Sequence, residues 1–443
     1  TLDMMSSGLS KKEAQPRTSG LDLAHSSLPD RSDFTAVSSA ARTNGAPSLL
    51  ESMRAGALFL MPFSLIASLG CNADSSPKIP LTVTQTALEV ADRKALTEDA
   101  AWTVQNSVVH VSGQPFFPLG VYWVSHDVSP ETKARRLNDL EKISQAGFNM
   151  IHTPVDRNDR EFLDKCASLG IYVAVEFNDD PLEVVAQFKS HPAVAIWSIF
   201  DDVDAPAKNG GERHSPQKVK ETHFQFKTAD PLALTYISAG YPQRFSAYTN
   251  CSDLMAFQTY PIPSEPLSSV TSSYSNVAAS HNQGFVANLQ TFGWHGIYRP
   301  PTGGELRNMT YQALLTGVKG VLYYTFFDEV TDLGQNHELL AAATQIAKEV
   351  RALEPFLLNG ERRTLPITQP EVFATQWILG HRLLVIAVNA STAPADIEIS
   401  LPEKDVTAVK PPLGDAAVMT LQANKLSGRI SAGGVAVCEF KLP

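Results

Sequence analysis

Between residues 117 and 358 short apolar runs alternate with segments of helical period, and the alternation repeats eight times. The runs "FNMIHTPV", "IYVAVEF", "AVAIWSIF", "GFVANLQTFG" and "VLYYTFF" lack the polar alternation of a half-solvated strand. They fit strands buried on both faces, as in a parallel sheet covered by helices. The intervening "PETKARRLNDLEKISQAG", "DREFLDKCASLG" and "PLEVVAQFKSHP" carry helical spacing, with proline starts and glycine stops. Eight such units favour a closed (β/α)8 TIM barrel over an open doubly wound sheet, and no glycine-rich phosphate turn follows the first run. The fold class is α/β.

The barrel is expected over residues 99–358. It opens with "AWTVQNSVVHVSGQPFFPLGVYW", a hairpin turning at Gly113 that runs into the first barrel strand over 117–123. After the longest helix, "HELLAAATQIAKEVRALEPFL", the period changes. "EVFATQWILGHRLLVIAVNAS", "ADIEISL", "KLSGRISAG" and "VAVCEFKL" are short alternating strands, and residues 359–443 read as a C-terminal antiparallel β-sandwich.

Residues 1–52 are Ser-, Ala- and charge-rich without apolar periodicity, and are expected to be disordered or an untranslated upstream segment. Residues 53–71, "MRAGALFLMPFSLIASLGC", hold one arginine, an apolar stretch too short to span a bilayer, then Gly-Cys. The segment resembles a bacterial lipoprotein signal, with Ser68 where leucine is favoured. The resemblance implies lipidation at Cys71, export to the periplasm or cell surface, and a polar tether and lead-in over 72–98. Membrane contact is expected only through that anchor.

A net charge of −10, with no basic stripe to displace counterions from phosphates, argues against a nucleic-acid binder. The remaining cysteines, Cys166, Cys251 and Cys438, are far apart and have no disulfide-framework spacing; Cys166 and Cys438 read as buried thiols. His126, His152 and His295 are too dispersed for a metal site. No cofactor is implied.

In such a barrel the chemistry lies at the carboxyl ends of the strands. The residues there are Tyr122, Trp123, His126 and Asp127 after the first run, His152 and Asp156 after the second, and Glu176, Asn178 and Asp179 around the third. The fourth delivers Asp201, Asp202 and Asp204, the sixth Gln258 and Tyr260, the seventh Asn288, Gln290, Phe292, Trp294 and His295, and the eighth Tyr323, Tyr324, Asp328 and Glu329. Three aspartates within four positions repel one another, and a ligand explains their presence better than the fold does. Aromatic faces for sugar C–H faces, with carboxylates and amides for hydroxyls, suit a carbohydrate cleft. The substrate-binding candidates are Tyr122, Trp123, His152, Tyr260, Gln290, Phe292, Trp294, Tyr324 and Asp328; the catalytic ones are Asp202, Asp201 and Glu176. Asp204 reads as a loop or cap residue, Trp197 as core, and Glu305 and Arg307 as structural groups in a first helical turn.

"GFNMIHTPV", "HPAVAIWSIFDD", "LQTFG" and "ELRNMTYQALLTGVKGVLYYTF" resemble segments of the (β/α)8 glycoside hydrolases in the clan of cellulases, β-galactosidases and β-glucuronidases. In that clan the fourth strand ends in Asn-Glu, whose Glu is the general acid/base; the matching pair here is Asp201-Asp202, which implies the acid role for Asp202. The clan's nucleophilic Glu ends the seventh strand, where this chain has Gln290, and an amide cannot serve.

Three readings follow. In the first, Asp202 works with Glu176, Asp328 or Glu329, inverting at a separation of roughly 6.5–9.5 Å or retaining at roughly 5–5.5 Å. In the second, Asp201 and Asp202 orient a substrate N-acetyl group that attacks. The alternative in another class is a glycan-binding lipoprotein that does not cleave. The expectation is an exported glycoside hydrolase acting on an oligo- or polysaccharide by carboxylate general acid/base catalysis.

Overall fold

The computed structural model describes residues 95–96, 100–206, 213–280, 284–294, 297–408 and 419–443. The expectations for 1–52, for 53–71 with Cys71, for most of 72–98 and for His295 lie outside these residues.

Strands β1 (Trp102–Gln105), β2 (Val108–Val111) and β3 (Gln114–Phe116) form a small antiparallel sheet. Its two turns are Asn106-Ser107 and Ser112-Gly113, with φ of 49°, 67°, 48° and 78°. Two successive positive φ values give the twist that a two-residue hairpin needs. The Gly113 turn is the one read from sequence; the Asn106-Ser107 turn is an addition. Trp102 meets Phe116 and Tyr172 edge-on, with centroids 5.4 and 4.7 Å away, and joins the apolar cluster that fills the barrel. The sheet plugs the barrel's amino-terminal end.

The barrel comprises β4 (Leu119–Trp123), β5 (Met150–Val155), β6 (Tyr172–Phe177), β7 (Val194–Phe200), β8 (Leu234–Ala239), β9 (Leu254–Thr259), β10 (Phe285–Gln290) and β11 (Val321–Phe327). All neighbours are parallel and the sheet closes between β11 and β4. Alternate residues explain the continuous apolar runs. Tyr122, Met150, Ala174, Tyr236, Ala256 and Leu322 fill the lumen, while Val121, Ile151, Val173, Ile237, Phe257 and Val321 pack under the helices.

Helices start where their caps put them. Ser129, Asp180 and Ser215 each precede a proline and accept backbone N–H bonds from the first turn of Pro130–Gln145, Pro181–Phe188 and Pro216–Ala229. Thr302 and Glu305 form a reciprocal capping box on Gly303–Thr316. The eightfold alternation has one weak member. After β8 stand a four-residue helix, Pro242–Phe245, and a 3-10 turn, Ser246–Tyr248.

The C-terminal strands are β12 (Glu361–Leu365), β13 (Val372–Leu379), β14 (Arg382–Asn389), β15 (Ala395–Ser400), β16 (Thr407–Ala408), β17 (Met419–Gln422), β18 (Lys425–Ile430) and β19 (Val435–Lys441). They make a five-stranded sheet, β12-β13-β14-β19-β16, packed on a three-stranded one, β15-β18-β17. On β14, Leu383, Val385 and Ala387 face the second sheet, while Leu384, Ile386 and Val388 face the barrel helices. The larger sheet is thus buried on both sides. Asn308 clamps the junction by donating to Asn389 O and Gly433 O, each at 2.9 Å. Arg307 pairs with buried Glu349 at 2.9 Å, the structural role read for it. Cys166, Cys251 and Cys438 are free and buried.

Candidate active site

The acidic side of the barrel mouth is built where β7 ends. Asp201 and Asp202 are both half-buried. Ser238, at the end of β8, donates its hydroxyl proton to Asp201 Oδ1. Ser238 Oγ in turn accepts Asp202 N–H at 3.0 Å and Gln258 Nε2 at 2.8 Å. Gln258, on β9, also donates to Asp202 Oδ1 at 2.5 Å. One hydroxyl and one amide therefore tie the two carboxylates into a single cluster. Asp202 sits in the left-handed region, φ 52°, which a short polar side chain tolerates at some cost. Asp204 is different: fully buried, it accepts Gly240 N–H at 2.9 Å and Tyr241 N–H at 2.8 Å. Burial pushes its carboxyl up, against those two bonds. It pins the β7 loop to the β8 loop, the structural role read for it.

Beneath the pair lies a buried polar knot. Tyr122 and Tyr236 share a hydrogen bond of 2.8 Å, and Asn288 Nδ2 donates to both hydroxyls at 2.9 and 3.1 Å. Burial pushes both phenols up, and the charge of Asp201 adds to it for each. They are neutral donors at neutral pH, close enough to feel that carboxylate. His152, wholly buried, stacks on Tyr122 with centroids 4.1 Å apart.

Glu176, inward at the end of β6, lies 4.0 Å from His126 Nε2 and 4.0 Å from His152 Nδ1. His126 Nδ1 in turn meets Asn178 Oδ1 at 2.6 Å. His126 thus stands just after the first barrel strand, among the residues expected there, and within reach of Glu176. Among the described residues no three His, Cys, Asp or Glu side chains converge as metal ligands.

The other side is aromatic. Phe292 touches Trp294, Tyr260, Tyr298 and Tyr324, with centroids 4.3, 5.0, 5.2 and 5.6 Å away. Trp294, Tyr260 and Tyr298 are partly exposed, whereas Phe292 and Tyr324 are buried supports. Gly293 permits the fold of this loop, since a Cβ there would collide with Pro300. Tyr298 escaped the sequence reading because it lies eight residues beyond its strand. Trp294 Nε1 donates to Asp328 Oδ2 at 3.3 Å, and Asp328 Oδ1 takes Val330 N–H at 2.9 Å and Thr331 N–H at 2.5 Å. Asp328 thus buttresses Trp294, and Glu329 is exposed beside it.

Besides the buried Tyr122, His152, Phe292 and Tyr324, two further candidates do not line the mouth. Trp123 faces outward into the helical layer, where its Nε1 donates to buried Asp139 at 3.1 Å. Gln290 is wholly buried. Its Oε1 accepts Ile262 N–H at 3.0 Å, and its Nε2 meets the carbonyls of Ile262, Arg299 and Phe292 at 3.0, 3.1 and 3.2 Å. Its amide is consumed by two loops. Trp197 is core, bonded to Asp230 at 2.8 Å.

The chain matches no protein-family model and no curated protein. Its structure is similar to solved ones. One is described as a glycoside hydrolase: 13% identical, TM-score 0.54, covering 79% of this chain and 98% of the other. Another is a glycoside hydrolase family 5 protein from Bacteroides vulgatus ATCC 8482: 15% identical, TM-score 0.53, covering 79% and 95%. At these identities the likeness is one of fold: a closed eight-stranded parallel barrel followed by antiparallel sheets.

Proposed function

We propose that this chain is a glycoside hydrolase that cleaves an oligo- or polysaccharide, with Asp202 as the proton donor to the leaving oxygen. The observation that carries the reading is the Asp201–Asp202 pair, cross-linked through Ser238 and Gln258 at the barrel mouth and sharing that mouth with a partly exposed aromatic wall. Aromatic faces take the sugar rings and the carboxylates take the reacting bond. The fold neighbours support it, since both are described as glycoside hydrolases. Glu176 is a further carboxylate of the mouth. Residues 53–71 support export and a lipid anchor at Cys71, and a surface-held hydrolase would meet its glycan outside the cell.

The second reading is a glycan binder, favoured by Gln290 standing as a locked amide on β10. The test is incubation of the purified chain with a glycan panel, scoring released reducing ends beside binding. Release that is lost in Asp202→Asn supports the hydrolase. Binding without release, unchanged in Asp202→Asn, supports the binder.

A further inference from the structure

Resting on the hydrolase reading, the geometry points to a narrower substrate class. We propose that the sugar cleaved carries a 2-acetamido group, whose carbonyl oxygen is the nucleophile, with Asp201 holding its N–H and Asp202 serving the glycosidic oxygen.

The first ground is the compactness of the pair. Two carboxylates that flank a scissile bond must approach the sugar from different sides, roughly 5 Å or more apart. Asp201 and Asp202 are neighbours on one turn, joined through a single hydroxyl and a single amide. On β10 the amide of Gln290 is locked to backbone, and after β11 Asp328 is engaged by three N–H donors. Among the described residues that wall supplies aromatic surface, with Asp328 committed to N–H donors and Glu329 exposed beside it.

The second ground is independent. The hydroxyl of Ser198, on β7 three residues before Asp201, is buried and has no hydrogen-bond partner. Strand alternation turns it into the lumen, since Ile196 lies in the lumen cluster and Trp197 in the outer one. It pairs in register with Tyr236, whose hydroxyl feels the charge of Asp201. A buried hydroxyl without a partner calls for one, and an acetamido carbonyl entering beside Asp201 supplies an acceptor.

The step balances. The carbonyl oxygen forms a bond to C1 while the bond from C1 to the leaving oxygen breaks. Its electron pair stays on that oxygen, which takes the proton of Asp202. The Asp201 carboxylate, accepting the acetamido N–H, balances the positive charge that develops on that group. Water then adds to C1, yielding its proton to Asp202, and the carbonyl oxygen departs. The product keeps the substrate's anomeric configuration.

The test uses 4-nitrophenyl glycosides of gluco and galacto configuration in both anomers, each as a 2-acetamido and a 2-hydroxy sugar. At least 100-fold faster release from a 2-acetamido member is expected, falling at least 10-fold when its acetyl is replaced by trifluoroacetyl, with proton NMR of fresh product showing retention. Equal or faster release from the 2-hydroxy partner, or an inverted product, overturns the acetamido inference and leaves the hydrolase standing. Release from neither series, with glycan bound but uncut, overturns both.

Discussion

Gln290 and Ile262 hold each other by two hydrogen bonds running in opposite directions, both 3.0 Å: Ile262 N–H to the amide oxygen, and the amide nitrogen to Ile262 C=O. The side chain at the end of β10 thereby acts as a piece of backbone between two mouth loops. Gln290→Glu would face a carboxylate toward three carbonyl oxygens at a site without solvent. Loss of about 3 kcal/mol or more is expected, read as a lower denaturant midpoint at unchanged slope. Gln290→Leu should cost about 1–3 kcal/mol for the orphaned backbone groups. Higher glycosidase activity in Gln290→Glu would contradict the positioning role.

The two tryptophans near the mouth should separate cleanly. Trp123→Phe removes the donor to buried Asp139 and is expected to cost about 1–3 kcal/mol while leaving KM unchanged. Trp294→Ala removes a partly exposed face. It is expected to raise KM about tenfold, close to 1.4 kcal/mol, with a small change in Tm. Steady-state kinetics and thermal melts on the same preparations check both.

These residues also show how far sequence reached. Barrel strands and helices were legible because both faces of β4–β11 are buried and the caps are ordinary Ser, Asp and Thr. Strand β12 was not, because its "ERRTL" is exposed along most of its length and carries no apolar alternation. Residues at strand ends were legible as a set but not by direction. Tyr122 and Trp123 are consecutive, so one must face the lumen and the other the helices, and hydrophobicity does not say which. Gln290 faces inward as its position demands. Its use by Ile262, Phe292 and Arg299 depends on loops whose course no local pattern encodes.

Asp201, Asp202 and Asp204 have similar chemistry and opposite expected phenotypes. Asp202→Asn keeps an acceptor for Gln258 but cannot donate a proton, so kcat should fall about 10²–10⁴-fold with Tm nearly unchanged. Asp201→Asn should behave likewise, since it retains an oxygen for Ser238. Asp204→Asn places an NH2 against one of two backbone donors in a buried site. It should cost about 1–3 kcal/mol with activity per folded molecule preserved. Active-site titration alongside denaturant unfolding separates the two classes.

Arg299 couples the mouth to the helix behind it. Its carbonyl accepts from Gln290 at 3.1 Å, and its guanidinium grips Glu305 at 2.7 and 2.8 Å. Glu305 also closes the capping box with Thr302. The Arg299 hydrogen bond, then the Thr302 N–H, hold the Glu305 carboxyl below its ordinary value against some burial. A depressed folded pKa means its stabilisation is whole above the unfolded pKa, about 4.3, and is lost as pH falls through the folded one. Glu305→Gln should therefore cost about 1 kcal/mol at pH 7, the usual worth of a cap, with the gap to wild type flat down to about pH 5 and closing below about pH 4. Because Arg299 is shared, Glu305→Gln and Gln290→Leu should not add: a coupling of about 0.5 kcal/mol or more is expected from the double-mutant cycle. Strict additivity would mean that the loop and the helix cap are independent, and that Gln290 positions only the β9 side of the mouth.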